Sequence, residues 1–496
     1  MLPHHNQNHN QNHQYESTID ATSTTTNNTT YKYSLHSLTE SDIPAWADFC
    51  ASCFSYKKPN PPPSTYFSNH YFHDPRRDAN LLCVIVVIQA SPPTSTCTRS
   101  TERGQTDATH SSGEECECDS GPESFHHNVP VPSDAKIIAS TRIFSRKISL
   151  GKAGKSVEAG GIGEVCTDAS HRKKGLAKRL LMNAIALMQQ QQQHHHENSN
   201  INRSSNSNYN MSCSMLHAAP ALMNVYERSA GYKGVDSYWK VIHFSRDAIA
   251  IAINTTSAKC QSIVQDGLDL TTTTTTTTRH RHRLASFPKD TSQLQKIHKE
   301  YSEDRFAGCI IRSIDYWNEY ICKEIGDSLF VLCINDTSTA DSDRSDSDSD
   351  KIVAWMSIRK RSNRRFQLRD FGCCSDTCAR ENILISTVFY TLLQQSLKTY
   401  LSSSSDGDDN DELERDLELA IPSMVHQDLE SIDWAESVSE ECDDGWMYKD
   451  LEIVSDCDCE ASEQSAEGAG AGAGVDMPYI VNELKVPHLI WPADSF

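Results

Sequence analysis

The stretch Glu164-Val-Cys-Thr-Asp-Ala-Ser-His-Arg-Lys-Lys-Gly-Leu-Ala-Lys178 joins an apolar run to a basic turn that contains glycine, and the turn opens a helical pattern. Residues 161–167 predict a strand, and the apolar spacing over 175–188 predicts an amphipathic helix. The first amides of a helix have no partner within the helix, so several can point at one anion, which the helix dipole also favours. The stretch therefore predicts a pyrophosphate-binding turn between a strand and a helix.

The residue types in this turn suit an anionic ligand. Gly175 permits close approach of the backbone, small Ala177 keeps the approach open, and Arg172 adds positive charge. The residues that we expect to hold the ligand are Val165, Cys166, Thr167, Arg172, Lys173, Lys174, Gly175, Leu176, Ala177 and Lys178. The alternative is a surface cluster of Lys and Arg side chains that caps an ordinary helix.

The same stretch resembles motif A of the GNAT superfamily of N-acetyltransferases, whose pattern is Arg or Gln, two residues, Gly, one residue, then Gly or Ala. Arg172, Gly175 and Ala177 occupy those places. The resemblance implies that the fold is a GNAT fold and that acetyl-CoA is the cosubstrate. A backbone amide of the strand around residues 165–167 would then stabilise the tetrahedral oxyanion.

A second segment, Tyr226-Glu-Arg-Ser-Ala-Gly-Tyr232, resembles motif B of the same superfamily. The resemblance implies that Tyr226 lies beside the CoA sulfur and protonates the departing thiolate. The spacing between Tyr226 and Gly231 departs from the family pattern by one residue. The alternative interpretation is a core tyrosine at the end of a helix.

The whole arrangement resembles the Eis-type acetyltransferases of mycobacteria and the fungal lysine N-acetyltransferases, which pair a catalytic GNAT domain with a second GNAT-like domain. The segments that carry this resemblance are Ala139-Ser-Thr-Arg-Ile-Phe144, Gly160-Gly-Ile-Gly-Glu-Val-Cys-Thr167, Tyr301 with Gly308, Arg312, Tyr316-Trp317 and Gly445-Trp-Met-Tyr448. In Eis-type enzymes the C-terminal carboxylate serves as the base, which here implies Phe496. Glu164 and His217 are the other candidates, and each is equally plausible as a polar residue of the sheet.

The order of strands and helices predicts an α/β protein with mixed sheets and two tandem GNAT-like domains. Segments poor in apolar residues, such as the run Thr271–Thr278, cannot repay their ordering entropy and are expected to be disordered. Much of the acidic tract 434–475 belongs to this class. The predicted division is a tail at 1–30, a catalytic domain at 31–250 with insertions at 92–134 and 189–212, a linker at 251–283, and a second domain at 284–496 with acidic insertions.

Composition narrows the functional classes. The formal charge of −21 lies largely in the acidic tracts, so we expect no nucleic-acid partner. The 18 cysteines are scattered through strands and loops, which favours reduced thiols and a cytoplasmic protein with no metal site. No apolar run approaches the ~20 residues of a membrane span, and the oligomeric state is left open.

The predicted reaction is acetyl transfer from acetyl-CoA to a primary amine, through a ternary complex and by direct attack. The expected acceptor is a small amine such as lysine. The alternatives are a protein lysine acetyltransferase and a noncatalytic regulator that binds acyl-CoA.

Overall fold

The computed structural model describes residues 31–56, 61–89, 131, 135–151, 155–197, 211–245, 279–335, 351–362, 364–380, 383–402, 417–429, 435–443, 445–451, 477–478, 480–481 and 486–494. Within these residues the strands form two mixed sheets, and helices cover their faces. The predicted α/β architecture is confirmed. Among the described helices, none combines the length and the apolar character that crossing a bilayer requires.

The first sheet has eight strands. They are β1 (Tyr31–Ser37), β2 (Leu82–Gln89), β3 (Lys136–Leu150), β4 (Ser156–Thr167), β5 (Met211–His217), β6 (Lys233–Gly234), β9 (Ala307–Ile310) and β15 (Trp446–Asp450). Their order is β1-β2-β3-β4-β5-β15-β6, and β9 pairs with the end of β3. Only β4 and β5 run parallel to each other, while the other pairs in this sheet are antiparallel.

Helices cover both faces of the first sheet. Successive side chains of a strand point to opposite sides, so apolar side chains of the central strands need a partner on each face. These helices are α1 (Ile43–Cys53), α2 (Ser64–Phe72), α3 (Leu176–Glu197) and α4 (Met223–Ala230), with short 3-10 turns at Glu40–Asp42, Ala79–Leu81, Ala169–His171 and Pro220–Leu222. In β2, Leu82 and Val84 pack against α1 and α2. Cys83 and Ile85 pack against α3 on the other face.

The second sheet has seven strands in the order β14-β7-β13-β12-β11-β10-β8. They are β7 (Tyr238–Phe244), β8 (Arg279–Leu284), β10 (Phe330–Asn335), β11 (Lys351–Lys360), β12 (Arg365–Cys373), β13 (Leu417–Pro422) and β14 (Ser437–Cys442). Its helices are α5 (Thr291–His298), α6 (Cys322–Ile325), α7 (Ser375–Arg380), α8 (Ile385–Ser402) and α9 (Ser423–Gln427), with π-helical turns at Lys299–Glu303 and Tyr316–Ile321 and 3-10 turns at Gly326–Ser328 and Pro492–Asp494.

The two sheets exchange strands, since β7 joins the second sheet while β9 and β15 join the first. β7 follows the first unit in sequence, yet it lies between β13 and β14 of the second sheet. β15 lies late in the chain, yet it pairs with β5 and β6 of the first sheet. One hydrophobic core contains Ile148 and Met215 from the first sheet together with Trp355 from the second. Each sheet therefore contains strands from both sides of the predicted division at 31–250 and 284–496. Sheet membership alone does not define domains, so that division stays a prediction.

Several segments differ from the sequence-based expectation. Helix α3 extends to Glu197, so the first part of the predicted insertion 189–212 is helical, in keeping with the good helix propensity of Gln. Strand β8 takes up the end of the predicted linker 251–283 because it pairs with β10. Strand β14 lies in the acidic tract 434–475, paired with β7. Helix α2 has no counterpart in the sequence-based reading, and the tail 1–30, residues 92–130 and Thr271–Thr278 lie outside the described residues.

Candidate active site

Strand β4 carries a bulge at Glu164. Ser140 of β3 pairs with Cys166 and Arg142 pairs with Gly163, so β4 has one more residue than β3 between these pairs. Glu164 has a φ of 55°, in the left-handed region that residues with a side chain rarely adopt. Bulges of this kind redirect a side chain and interrupt the ladder, and such strain concentrates at functional sites.

Strands β4 and β5 separate just before the bulge. Their parallel pairing runs from Glu158 with Met211 to Ile162 with Leu216. β4 then continues to Thr167 without β5 as its partner. The β5 side of residues 163–167 therefore borders an opening between two strands of the same sheet.

The basic turn lies at the end of that opening. Lys173 has a φ of 62° and Gly175 a φ of 74°. A Cβ added at Gly175 would meet no described atom within 4 Å, so the turn is open at this point. The first helical bond of α3 runs from Arg179 N to Gly175 O, 3.0 Å. The backbone amides of the first turn, which include those of Ala177 and Lys178, are therefore available to an anion.

The predicted ligand-binding residues separate into two groups. The side chains of Arg172, Lys173, Lys174, Ala177 and Lys178 are exposed around the turn. Arg172 Nε donates to Thr167 O at 3.3 Å, and Lys174 Nζ donates to Tyr33 Oη at 3.1 Å. The side chains of Cys166 and Leu176 are 8% and 2% exposed and lie in the cores on opposite faces. Only the backbone of these two residues is therefore left to bind a ligand, and Val165 also packs toward α3.

Glu164 is held between both halves of the chain. Its Oε1 lies 3.0 Å from His70 Nδ1, and its side chain is 5% exposed. His70 Nε2 lies 2.8 Å from Tyr320 Oη in the π-helical turn of the second unit. Glu164 Oε2 lies 3.9 Å from Arg142 Nη1. The candidate base is thus a buried carboxylate with a cationic neighbour.

Arg142 belongs to a buried ion cluster with Asp74. Arg142 Nη2 donates to Asp74 Oδ2 at 2.9 Å, and Arg146 Nη1 donates to Asp74 Oδ1 at 3.0 Å. Burial alone would raise the pKa of Asp74, but the charges of Arg146 and Arg142 lower it. This cluster fixes Arg142, and through it the charge beside Glu164.

Tyr226 lies on α4, partly buried against the α3 core. Burial raises the pKa of its hydroxyl, so the group is protonated at neutral pH. Its ring meets that of Tyr232 edge-on at 6.4 Å, and Tyr232 shares a hydrogen bond of 2.7 Å with Ser214 of β5. Ser214 Oγ donates to Gly160 O of β4 at 3.1 Å. Tyr226 is therefore connected to the pair of strands that forms the opening.

His217 is the first residue of β5 beyond its pairing with β4. Its Nε2 lies 2.8 Å from Asp443 Oδ1, and Trp239 Nε1 donates to Asp443 Oδ2 at 3.1 Å. The histidine side chain is 45% exposed. It lies on the same face of β5 as Met215, and residues of the second sheet pack against that face.

Phe496 lies outside the described residues. Two residues earlier, Asp494 is fully buried, with Arg312 Nη2 at 2.8 Å from its Oδ2. The second carboxylate on Arg312 is that of Asp370, at 2.6 Å. The end of the described chain is thus anchored between the sheets.

The segment that contains the bulge, the opening and the turn matches a known protein family. Residues 126–195 match the family described as "Acetyltransferase (GNAT) domain". The chain carries a GNAT acetyltransferase domain. The predicted resemblance to this superfamily is confirmed for that segment, which contains β3, β4 and nearly all of α3.

Several solved structures are also similar to the chain. A probable N-acyltransferase from Enterococcus faecalis V583, a conserved protein of unknown function, is 9% identical at a TM-score of 0.43, over 85% of this chain and 73% of its own. A GCN5-related N-acetyltransferase from Kribbella flavida is 13% identical at 0.42, over 84% and 71%. Eis1 from Mycobacterium abscessus is 12% identical at 0.34, over 64% and 63%. No curated protein matches the sequence.

Three functional candidates that lie outside the matched segment were missed from sequence. His70 lies on the unpredicted helix α2, whose Ser-Thr-Tyr-Phe-Ser-Asn-His pattern has little helical amphipathicity. Tyr320 and Asp443 come from the distant part of the chain, and neither lies in a motif. The proline run at residues 61–63, directly before α2, is the one local signal, because proline is favoured at helix starts.

Proposed function

We propose that this protein is an acetyl-CoA-dependent N-acetyltransferase that transfers acetyl to a primary amine by direct attack within a ternary complex. One observation carries the proposal. β4 leaves β5 after Ile162, bulges at Glu164, and then runs into an exposed basic turn at the start of α3. A thioester beside the bulge and a pyrophosphate at the turn would lie along one continuous stretch of backbone.

The residues present fit acetyl-CoA. The first-turn amides of α3 and the side chains of Arg172, Lys173 and Lys174 supply donors and positive charge for a pyrophosphate. Gly175 leaves the backbone of the turn uncovered. The backbone of Val165 and Thr167 borders the opening, where it can bind an extended amide-containing chain as a further strand would.

The reaction needs a neutral amine, although a free lysine amine with a pKa of about 10.4 is mostly protonated at neutral pH. We propose that Glu164 accepts the amine proton as the new N–C bond forms. A backbone amide at the bulge, around Val165, stabilises the oxyanion. The C–S bond then breaks, and Tyr226 gives its hydroxyl proton to the thiolate. The C-terminal carboxylate of Phe496 is the other proposed proton acceptor, and it rests on the Eis-type resemblance alone.

The burial of Glu164 favours a small acceptor such as lysine. Helix α2 and the π-helical turn Tyr316–Ile321 both contact this region through His70 and Tyr320, and they leave the Glu164 side chain 5% exposed. A lysine on a protein surface would require a wider groove than this arrangement provides. We also propose that the enzyme is cytoplasmic, because the distribution of its cysteines favours reduced thiols.

The test is CoA release measured against a panel of small amines and lysine peptides, together with calorimetry of acetyl-CoA binding. We expect turnover with small amines and at least about tenfold lower kcat/KM with peptides. Faster turnover with peptides would establish the protein acetyltransferase instead. Acetyl-CoA binding without any turnover would establish the noncatalytic regulator.

A further inference from the structure

We propose that His70 and Tyr320 are positioning residues for Glu164, so that the π-helical turn Tyr316–Ile321 completes the active site on β4. The inference rests on the proposed function. The three residues come from β4, from α2 and from a π-helical turn that lies 250 positions after His70. The contacts between them form one continuous chain.

The direction of the hydrogen bonds follows from the chemistry of the groups. An ionised carboxylate can only accept, so His70 Nδ1 carries the proton and donates to Glu164 Oε1 at 3.0 Å. A neutral histidine then has an acceptor at Nε2, and the Tyr320 hydroxyl donates a hydrogen bond to it, with 2.8 Å between Nε2 and Oη. This tautomer is assigned from the partners. Burial raises the pKa of Tyr320, so its hydroxyl remains a donor at neutral pH.

Aromatic packing keeps the chain in this arrangement. The His70 ring lies 5.7 Å from the Tyr66 ring in a stacked geometry and 5.3 Å from Phe144. Tyr320 in turn stacks on Tyr316 at 4.9 Å. His70 and Tyr320 are 3% and 2% exposed. Side chains locked by packing and by secondary hydrogen bonds hold a reacting group in a fixed geometry.

The consequence for Glu164 is that its two oxygens differ. Oε1 is occupied by His70, whereas Oε2 is buried and receives no hydrogen bond from any residue that the structure describes. Its charged neighbour is Arg142, whose Nη1 lies 3.9 Å away and has no hydrogen bond within the described residues, while Nη2 is bound to Asp74. A buried acceptor without a hydrogen bond is costly. Oε2 therefore keeps a free acceptor position, and the proposal assigns that position to the amine proton of the bound substrate.

A merely structural polar network would make the same contacts, so the test must separate the two roles. His70→Leu removes both hydrogen bonds, and His70→Asn restores an N–H near the place of Nδ1. Tyr320→Phe removes one hydroxyl and keeps the ring stack. Tyr316→Phe is the matched control, since its hydroxyl is buried and has no hydrogen bond within the described part of the chain.

We expect kcat to fall about 100-fold in His70→Leu and about tenfold in Tyr320→Phe, because both act through the proton acceptor. The kcat of His70→Asn should be at least about tenfold higher than that of His70→Leu. The Kd for acetyl-CoA by calorimetry should stay within about twofold in all variants, and Tyr316→Phe should keep the parent kcat. In a Glu164→Gln background, His70→Leu should lower kcat by less than about threefold further, because residues acting as a unit are not additive.

Three outcomes overturn the inference, and they distinguish its failure from that of the proposed function. If the parent protein turns over amines and folded Tyr320→Phe and His70→Leu keep its kcat, the positioning role is wrong while the proposed function stands. The same conclusion follows if His70→Leu costs as much in the Glu164→Gln background as it does in the parent. If the parent binds acetyl-CoA but acetylates no amine, both the proposed function and the positioning role are wrong.

Discussion

His217 Nε2 lies 2.8 Å from Asp443 Oδ1, although 226 positions separate the two residues in the chain. The contact exists because β15 of the late chain pairs with β5 and brings the preceding residue Asp443 to its end. Burial tends to raise the pKa of Asp443, but the hydrogen bond and charge of His217 and the bond from Trp239 lower it. His217 is thereby oriented by a carboxylate beside the opening, and it competes with Glu164 as a candidate base.

We predict that Glu164, not His217, controls proton removal, because Glu164 lies on the bulge itself. Glu164→Gln should lower kcat by at least about 100-fold, while His217→Gln should lower it by no more than about fivefold. The measurement is steady-state CoA release with both substrates saturating, and circular dichroism verifies folding. A reversed order of the two effects would assign the base to His217 and Asp443.

The turn at Gly175 gives a prediction about cosubstrate affinity. Gly175→Asp should weaken acetyl-CoA binding at least about tenfold, because a negative charge at an open anion site repels the pyrophosphate. Gly175→Asn is the matched control. It has nearly the same size and tolerates a positive φ better than most residues, so its affinity should fall much less. Calorimetry on both variants measures the difference, and equal affinities would mean that charge at this turn is irrelevant.

Tyr226 gives a prediction about the leaving group. Tyr226→Phe keeps the ring and deletes the donor, so kcat should fall by about 100-fold with little change in acetyl-CoA affinity. Tyr232→Phe is a suitable control, because it deletes the buried hydroxyl that is bonded to Ser214. That change should lower the melting temperature and leave kcat within a few fold. A folded Tyr226→Phe variant with the parent kcat would make Tyr226 a core residue, as its spacing to Gly231 would suggest.

Local chemistry explains how much the sequence could predict. The turn at Gly175 and the strand before it are contiguous, so residue spacing was enough to find them. The helix-start pattern Thr39-Glu-Ser-Asp42 is likewise contiguous and lies directly before α1, where Thr39 N donates to Asp42 Oδ2 at 2.9 Å. Strand β2 also corresponds to a contiguous apolar run, at residues 82–88.

The remainder of the site depends on contacts between distant residues. His70 meets Glu164 across 94 positions, and Tyr320 meets His70 across 250. Neither pairing leaves a periodic signal in one sequence. The bulge at Glu164 also leaves no pattern in the sequence, because a single extra residue in β4 becomes visible only in its register with β3. The exchange of β7 and β15 between the sheets has the same cause, since strand pairing is decided by tertiary packing.

The buried cluster around Asp74 gives a prediction about stability and pH. Asp74→Asn leaves the guanidinium groups of Arg142 and Arg146 without their carboxylate, and removal of one partner of a buried ion pair costs about 3–5 kcal/mol of unfolding free energy. Because the folded-state pKa of Asp74 is lowered, its contribution is fully present above the unfolded pKa of about 3.9 and is lost as the pH falls through the folded value. The difference in unfolding free energy between parent and variant, measured by urea unfolding, should therefore be largest near pH 7 and shrink below about pH 4.

The control is Asp48→Asn, at an exposed position of α1, which should change the unfolding free energy by less than about 0.5 kcal/mol at either pH. An Asp74→Asn variant as stable as the parent at pH 7 would show that the two arginines are satisfied without this carboxylate.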